Sequence, residues 1–238
     1  MQVLSQYFCK IINYYMLKKL KPTIAVIDSG IGGISILREI IKKYHAGNYI
    51  YFADNLYMPY GNKSRSFIKK RVESIISMLS EKYKVDLIII ACNTASTIID
   101  ENTYKNVITM KFNPNITYFA TKLTKRTLNN HQIIADPTLA KRIEENIFNH
   151  EKLECIIKNH IQKYKLNQLN SFALGCTHYE LVENLFKKYC PNTTIIKNSS
   201  YILKNIHYFP NTENLTIVFL ESKNSNEYLK KLNRLIRS

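Results

Sequence analysis

Along this chain, short unbroken apolar runs alternate with longer stretches in which apolar residues recur every third or fourth position. The first kind reads as strands buried on both faces, the second as amphipathic helices. Thr23–Ile27 (TIAVI) predicts a strand, and Asp28-Ser29-Gly30 breaks it. Ile31–Tyr44 then carries Ile34, Ile36, Leu37, Ile40 and Ile41 at helical spacing. A strand at Tyr51–Ala53 and a helix over Phe67–Leu79 lead to the strand Leu87–Ile90 (LIII). Further strands are expected at Val107–Met110, Ile116–Ala120 and Ile133-Ile134, with a helix starting near Thr121. Pro137 is expected to open the helix TLAKRIEENIF, at a position that suits proline. A helix at Leu153–Tyr164, a strand from Ser171 and a helix at Tyr179–Lys188 follow. Strands at Thr193–Ile196 and Leu215–Phe219 and a last helix at Glu227–Ile236 complete the pattern. This βα alternation predicts an α/β protein with mainly parallel sheets and ligands at the strands' carboxyl ends. No linker rich in Pro, Gly or Ser divides the chain, so two domains would have to interlock.

Two of the strand-to-helix junctions share one grammar. Asp86–Thr97 reads DLIIIACNTAST, and Ser171–Glu180 reads SFALGCTHYE. Each apolar run passes a small residue into a cysteine, Cys92 or Cys176, and then into a helix. Asn93 and Thr94 are favoured capping types ahead of a helix expected near Ala95, which puts Cys92 on the turn itself. Unpaired N–H groups and the positive end of a helix dipole favour a thiolate there. Two cysteines in matching settings suggest one site built from two related halves. Taken alone, the pair reads more readily as buried structural thiols than as an acid and a base.

Glycine sharpens the picture. Of six in the chain, five lie at Gly30, Gly32, Gly33, Gly61 and Gly175, beside polar residues at predicted strand ends. Those loops must need positive φ or close backbone approach. GIGG is not the dinucleotide fingerprint, and no acidic residue sits at a second strand end in the ribose-binding role, which disfavours a Rossmann cofactor. Asp28 alone reads equally as a helix cap, but its place at a strand's carboxyl end favours function. Pro59-Tyr60-Gly61-Asn62 forms a turn whose tyrosine hydroxyl and glycine N–H could hold a ligand carboxylate, or a plain surface turn. Glu144 and Glu145, read without context, belong to a solvated helix face.

Composition changes this reading little. The 238 residues carry a formal charge of +16. Lysine is spread along polar helix faces, as in Lys18-Lys19, Lys69-Lys70 and Lys230-Lys231, which argues against a nucleic-acid partner. No apolar run approaches the roughly 20 residues that span a bilayer. Five cysteines without close pairing point to free thiols and a cytoplasmic setting. Cys9, Cys155 and Cys190 read as small buried hydrophobes. Cys176-x-His178 lacks a partner pair, so no metal is expected. Residues 1–21 are aromatic, basic and weakly amphipathic. They read as a disposable extension ahead of the alternative initiator Met16, or as a docking or surface-lying helix.

Taken together, IAVIDSGIGGISILREI, MPYGNKS, IIIACNTAS and LGCTHYELV, in that order, resemble glutamate racemase, of the cofactor-independent aspartate/glutamate racemase superfamily. Weaker similarity runs through ATKLTKRT and DPTLAKRIEENI, and the resemblance covers residues 22–238. It implies two pseudo-symmetric, doubly wound α/β domains with mainly parallel sheets and the active site in the cleft between them. Residues 22–108 plus 200–238 would form the first domain and 109–199 the second. It implies Cys92 and Cys176 as the catalytic acid/base pair, with Asp28 and His178 assisting and Glu144 as an acidic residue from the second domain. Substrate-binding positions carry over onto Asp28, Ser29, Tyr60, Gly61, Asn93, Thr94, Thr177 and His178. No cofactor is implied; the substrate is glutamate, the product D-glutamate for peptidoglycan, and a homodimer is compatible.

The chain departs from the family pattern in places. It is shorter around Ala120–Lys122 and after His131, it has Asn198-Ser199 where many relatives have Asp-Ser, and ADNLYM replaces a GDT-type loop. The second domain is therefore expected to be trimmed. Rival readings are a racemase of aspartate or a related acid, a thiol hydrolase using one cysteine with His178 as base, and a basic nucleic-acid-binding protein with a relict site.

Overall fold

The computed structural model describes residues 23–206 and 214–238; the extension at 1–21, with Cys9, lies outside them. In chain order the elements are β1 (Thr23–Asp28), α1 (Ile34–Tyr44), β2 (Gly47–Ala53), α2 (Arg65–Tyr83), β3 (Leu87–Ile90), α3 (Asn93–Ser96) and β4 (Val107–Thr109). There follow β5 (Tyr118–Thr121), α4 (Lys122–Thr127), β6 (Ile133–Asp136), α5 (Leu139–Asn146), α6 (His150–Tyr164), β7 (Ser171–Gly175) and α7 (Thr177–Leu181). The last are α8 (Glu183–Tyr189), β8 (Thr194–Lys197), α9 (Ser200–Asn205), β9 (Leu215–Glu221) and α10 (Asn226–Arg237).

Among the described residues these strands form two sheets, of order β4-β3-β1-β2-β9 and β6-β5-β7-β8. Every pairing is parallel. The protein is therefore α/β with two parallel sheets, as the βα alternation predicts. β1 shows why its run is apolar throughout. Ile24 and Val26 enter one hydrophobic cluster while Ala25 and Ile27 enter another, on the opposite face of the sheet. Helix α2 covers the second cluster through Ile68, Val72, Ile75, Ile76 and Leu79. The first cluster takes in α1 and α10 and continues through Phe119, Phe172 and Leu174 of the other sheet. One core thus runs through both halves. The other face of the second sheet carries only a small cluster of Tyr118, Ala120, Ile133 and Ala173.

The differences from the sequence-based expectations have local causes. β2 starts at Gly47 rather than Tyr51, because Gly47–Ala53 pairs along its whole length with β9. Pro137 does not open α5; Asp136 Oδ1 accepts the N–H groups of Thr138 (2.7 Å) and Leu139 (2.6 Å), and the helix begins one residue after Thr138. The helix expected over Tyr179–Lys188 is two, broken at Val182, and the first starts directly after Cys176. The helix after Cys92 likewise starts at Asn93, not near Ala95, and is a single turn. Helix α6 begins at His150, where Asn149 Oδ1 accepts Lys152 N–H at 3.1 Å. Cys190 is buried, but Cys155 is exposed on α6 rather than packed. No helix among the described residues is long and apolar enough to cross a membrane.

The halves approach each other through glycine. A Cβ on Gly32 would fall inside the Thr177 side chain and 2.8 Å from the backbone nitrogen of His178, which cannot swing away. Gly32→Ala is therefore expected to destabilise the fold by about 1–3 kcal/mol, the cost of forced overpacking. Urea denaturation midpoints against the unmodified chain measure it.

Candidate active site

Both cysteines emerge where β-strands end. Cys92 follows β3 as the N-cap of α3, and Cys176 follows β7 as the N-cap of α7; neither side chain caps its own helix. The loop after β1 touches both turns. Asp28 Oδ1 accepts Gly30 N–H at 2.9 Å, and Oδ2 accepts the Thr177 hydroxyl of the other half at 2.9 Å. Cys92 Sγ lies 3.8 Å from Ser29 Oγ, and Cys176 Sγ lies 3.9 Å from His178 Nδ1. Tyr51, which no motif singles out, donates its hydroxyl to Gly30 O at 2.7 Å and fixes the loop from beneath. None of Asp28, Ser29, Cys92, Asn93, Thr94, Glu144, Cys176, Thr177 and His178 is more than 6% exposed.

Glu144 stands apart from its exposed neighbour Glu145. Its Oε2 accepts His178 Nε2 at 2.7 Å and Ile31 N–H at 3.0 Å, while Oε1 accepts the Tyr228 hydroxyl at 2.9 Å. Lys231 reaches both its carbonyl and, at 3.4 Å, Oε1. The solvated helix face expected of a lone glutamate is thus wrong for Glu144, because α10 and the loop after β1 fold over it. Tyr228 and Lys231 lie more than eighty residues further along, so no local spacing reveals them.

The electrostatics are unequal on the two sides. Burial acts to raise Glu144, but the His178 bond and the charges of His178 and Lys231 outweigh it and hold the carboxyl down. Burial acts to lower His178, yet its contacts with Cys176 and Glu144 raise it, so the shared proton rests on the imidazole. Asp28 is pushed up to about 6, chiefly by burial, against the opposing pull of His178 and Gly30 N–H. Burial likewise pushes the Cys92 thiol up, with the negative charge of Asp28 adding to it and Cys176 close enough to contribute. The expected lowering of Cys92 by a helix terminus is therefore overturned. A four-residue helix supplies little dipole, and desolvation is the larger effect.

Asn93 and Thr94, which follow Cys92, also reach the other half. Thr94 Oγ1 lies 2.9 Å from Thr121 Oγ1 and 3.3 Å from Thr124 Oγ1. Asn93 Oδ1 accepts Asn198 Nδ2 at 3.2 Å, leaving Asn93 Nδ2 buried without a hydrogen-bond partner. Gly61 packs against Thr121, where a Cβ would come within 2.7 Å of the threonine Cβ. The Tyr60 hydroxyl donates to Asp54 Oδ2 at 2.6 Å, and Arg71 grips the same carboxylate at 3.0 and 2.7 Å. With its proton engaged there, Tyr60 braces the loop instead of donating to a ligand. Among the described residues no group of three or more His, Cys, Asp or Glu is placed to hold a metal ion.

The arrangement is similar to known proteins. No family model matches the chain. A glutamate racemase from Clostridium botulinum is 34% identical over 198 residues, 71% of this chain and 76% of that protein. One from Clostridium acetobutylicum is 30% identical over 203 residues, 74% of this chain and 79% of that protein. Among solved structures, a glutamate racemase isoform from Bacillus anthracis superposes with a TM-score of 0.77 at 22% identity, covering 92% of this chain and 95% of that one. The Escherichia coli glutamate racemase, solved with L-glutamate and the activator UDP-MurNAc-ala, gives 0.71 at 25% identity, over 90% and 95%.

The buried pair sets a stability expectation. Glu144→Ala strands a protonated His178 in a dry site and is expected to cost about 3–5 kcal/mol. Glu145→Ala, on the exposed face of the same helix, should stay within about 0.5 kcal/mol. Denaturant unfolding of the two variants in parallel separates these outcomes.

Proposed function

We propose, for a chain that belongs to the glutamate racemase family and is an isomerase, that it interconverts L- and D-glutamate by proton transfer between two thiols. The observation that carries this is the pairing of Cys92 and Cys176 at equivalent strand-to-helix turns, joined by hydrogen bonds that cross between the halves. Residues 22–108 plus 200–238 would act as one domain and 109–199 as the other, with the substrate's Cα between the two sulfurs.

In each turnover one cysteine, as thiolate, takes the Cα proton from one face. The other, as thiol, gives its proton to the opposite face, so the charge moves from one sulfur to the other and the configuration inverts. Asp28 is the acceptor for the Cys92 proton, and His178 is the charged partner of Cys176. The free amide of Asn93, the N–H groups at the starts of α3 and α7, and the hydroxyls of Ser29, Thr94 and Thr177 would hold the substrate carboxylates. The same donors stabilise negative charge as it spreads from Cα towards the carboxylate. Because every one of these groups is buried, the halves must part to admit substrate. The D-glutamate formed would supply peptidoglycan synthesis in the cytoplasm.

In deuterium oxide, L-glutamate should yield D-glutamate carrying deuterium at Cα from the first turnovers, because the returning proton comes from the second, solvent-equilibrated thiol. Cys92→Ala and Cys176→Ala should each lower racemisation by at least about 10²-fold. Full racemisation by either variant would falsify the two-thiol scheme, and recovery of L-glutamate with neither D-isomer nor Cα deuterium would favour the hydrolase reading. L-aspartate run in parallel tests the substrate.

A pH expectation follows from Asp28, pushed up to about 6. Above that pH it is a carboxylate able to receive the Cys92 proton; below it, the site is filled. kcat/KM should therefore fall as pH drops through about 6, and Asp28→Asn should remove that limb while lowering the plateau. An unchanged acid limb in Asp28→Asn would assign it to another group.

A further inference from the structure

Four positions beyond Cys176, on α7, Glu180 is a further buried carboxylate, and the scheme above gives it no part. It is 5% exposed. Its Oε1 accepts Ser199 N–H at 3.0 Å, and the Ser199 hydroxyl and Asn198 N–H also face it. The turn it holds joins β8 to α9, whose own N-cap, Ser199, makes no side-chain cap. The carboxylate of α7 therefore does that work from outside. From the same turn, Asn198 Nδ2 donates to Asn93 Oδ1 at 3.2 Å. Occupying Oδ1 decides which way the Asn93 amide faces, and so which way its unpartnered Nδ2 is turned.

We propose that Glu180 is a positioning residue for the racemisation, setting the Asn93 amide beside Cys92 through the Asn198–Ser199 turn. The proposal rests on Asn93 binding a substrate carboxylate, as read above. It links the helix that follows one cysteine to the residue that follows the other. The second oxygen of Glu180 is buried without a hydrogen-bond partner; the residue lines one side of a cavity of about 220 Å3 shared with Arg38, Lys42 and Lys197. The charged groups that line this cavity with Glu180 are Lys197 of β8, Arg38, Glu39 and Lys42 of α1 and Glu183 of α8; of these the Lys197 charge acts on Glu180, and Lys197 is paired with Glu183 and Lys42 with Glu39. Burial pushes Glu180 up to about 7 against the Ser199 bonds. As pH falls through 7 it gains a proton and holds the turn's N–H groups less tightly, so the brace is firmest above neutrality.

Steady-state kcat and KM for glutamate, measured at about pH 6 and about pH 8, on either side of the Glu180 titration, test it. The variants are Glu180→Ala, Glu180→Gln, Asn198→Ala, Asn93→Ala and the double variant Asn93→Ala/Glu180→Ala. Glu180→Ala and Asn198→Ala should each raise KM about tenfold with kcat within about threefold, the signature of lost uniform binding. Glu180→Gln keeps an acceptor oxygen. It should restore KM at the higher pH and abolish the rise in KM that the unmodified chain shows at the lower one. The double variant should show no further rise over Asn93→Ala. If Asn93→Ala raises KM but Glu180→Ala and Asn198→Ala do not, the positioning role is refuted and the two-thiol site stands. A normal KM in Asn93→Ala overturns the carboxylate-binding reading, and this proposal with it. Should Glu180→Ala not fold, Asn198→Ala and the pH response of Glu180→Gln separate the same outcomes.

Discussion

A carboxylate can stay in a dry protein interior only if its neighbours supply the donors and charge that water would have supplied. Glu144 meets that condition with groups from both halves: Ile31 N–H and Tyr228 from one, His178 from the other, with Lys231 alongside. Ile31 follows the Asp28 loop, and His178 follows Cys176 by two residues. Holding these together fixes how the loop after β1 meets the loop after β7. The Asp28–Thr177 bond repeats the connection close by. Small residues at the crossing follow from it, since a side chain on Gly30 would run into the Glu144 carboxylate. Removing one partner leaves a buried charge unpaired, which costs more than the pair itself contributes.

The same dryness shapes the chemistry. A thiol at a helix start is ordinarily expected to ionise more readily, yet burial pushes Cys92 the other way, and the charge of Asp28 adds to the effect. Cys176 instead has a protonated imidazole as its neighbour. The two sulfurs are thus equivalent in backbone position and unequal in electrostatics. In the proposed scheme one sulfur holds a proton that the other lacks, and the roles exchange with the direction of reaction. Low polarity also strengthens each hydrogen bond that stabilises charge developing on substrate.

Much of the fold is legible along the chain, where a local pattern has one structural solution. LIII can only be a strand buried on both faces, and β3 runs over those four residues. The helical spacing of α1 and the cysteine-bearing turns are of the same kind. Legibility fails where distant residues decide. β2 extends back to Gly47 because β9, more than 160 residues later, offers a partner for each position. Pro137 looks like a helix start until Asp136 is seen to take the first N–H groups itself. In the site, motif residues are identifiable, but the groups that orient them are not. Tyr228 and Lys231 carry no motif and reach the centre only through the fold; Asn198 and Thr121 lie in segments the resemblance covers, but their contacts with Asn93 and Thr94 come from the fold alone. Tyr60 is legible as a loop residue, while the Asp54 carboxylate that engages its hydroxyl is not.

The central claim is geometric: the sulfurs of residues 92 and 176 flank one carbon of a glutamate enclosed between the two sheets. A crystal structure of the unmodified chain grown with D-glutamate tests it most directly. The expected result is the amino acid between the halves, its Cα in van der Waals reach of both sulfurs and on the line between them, with a carboxylate on the Asn93 amide. Glutamate bound with both sulfurs on one side of Cα, or at a place touching only one of them, would contradict it.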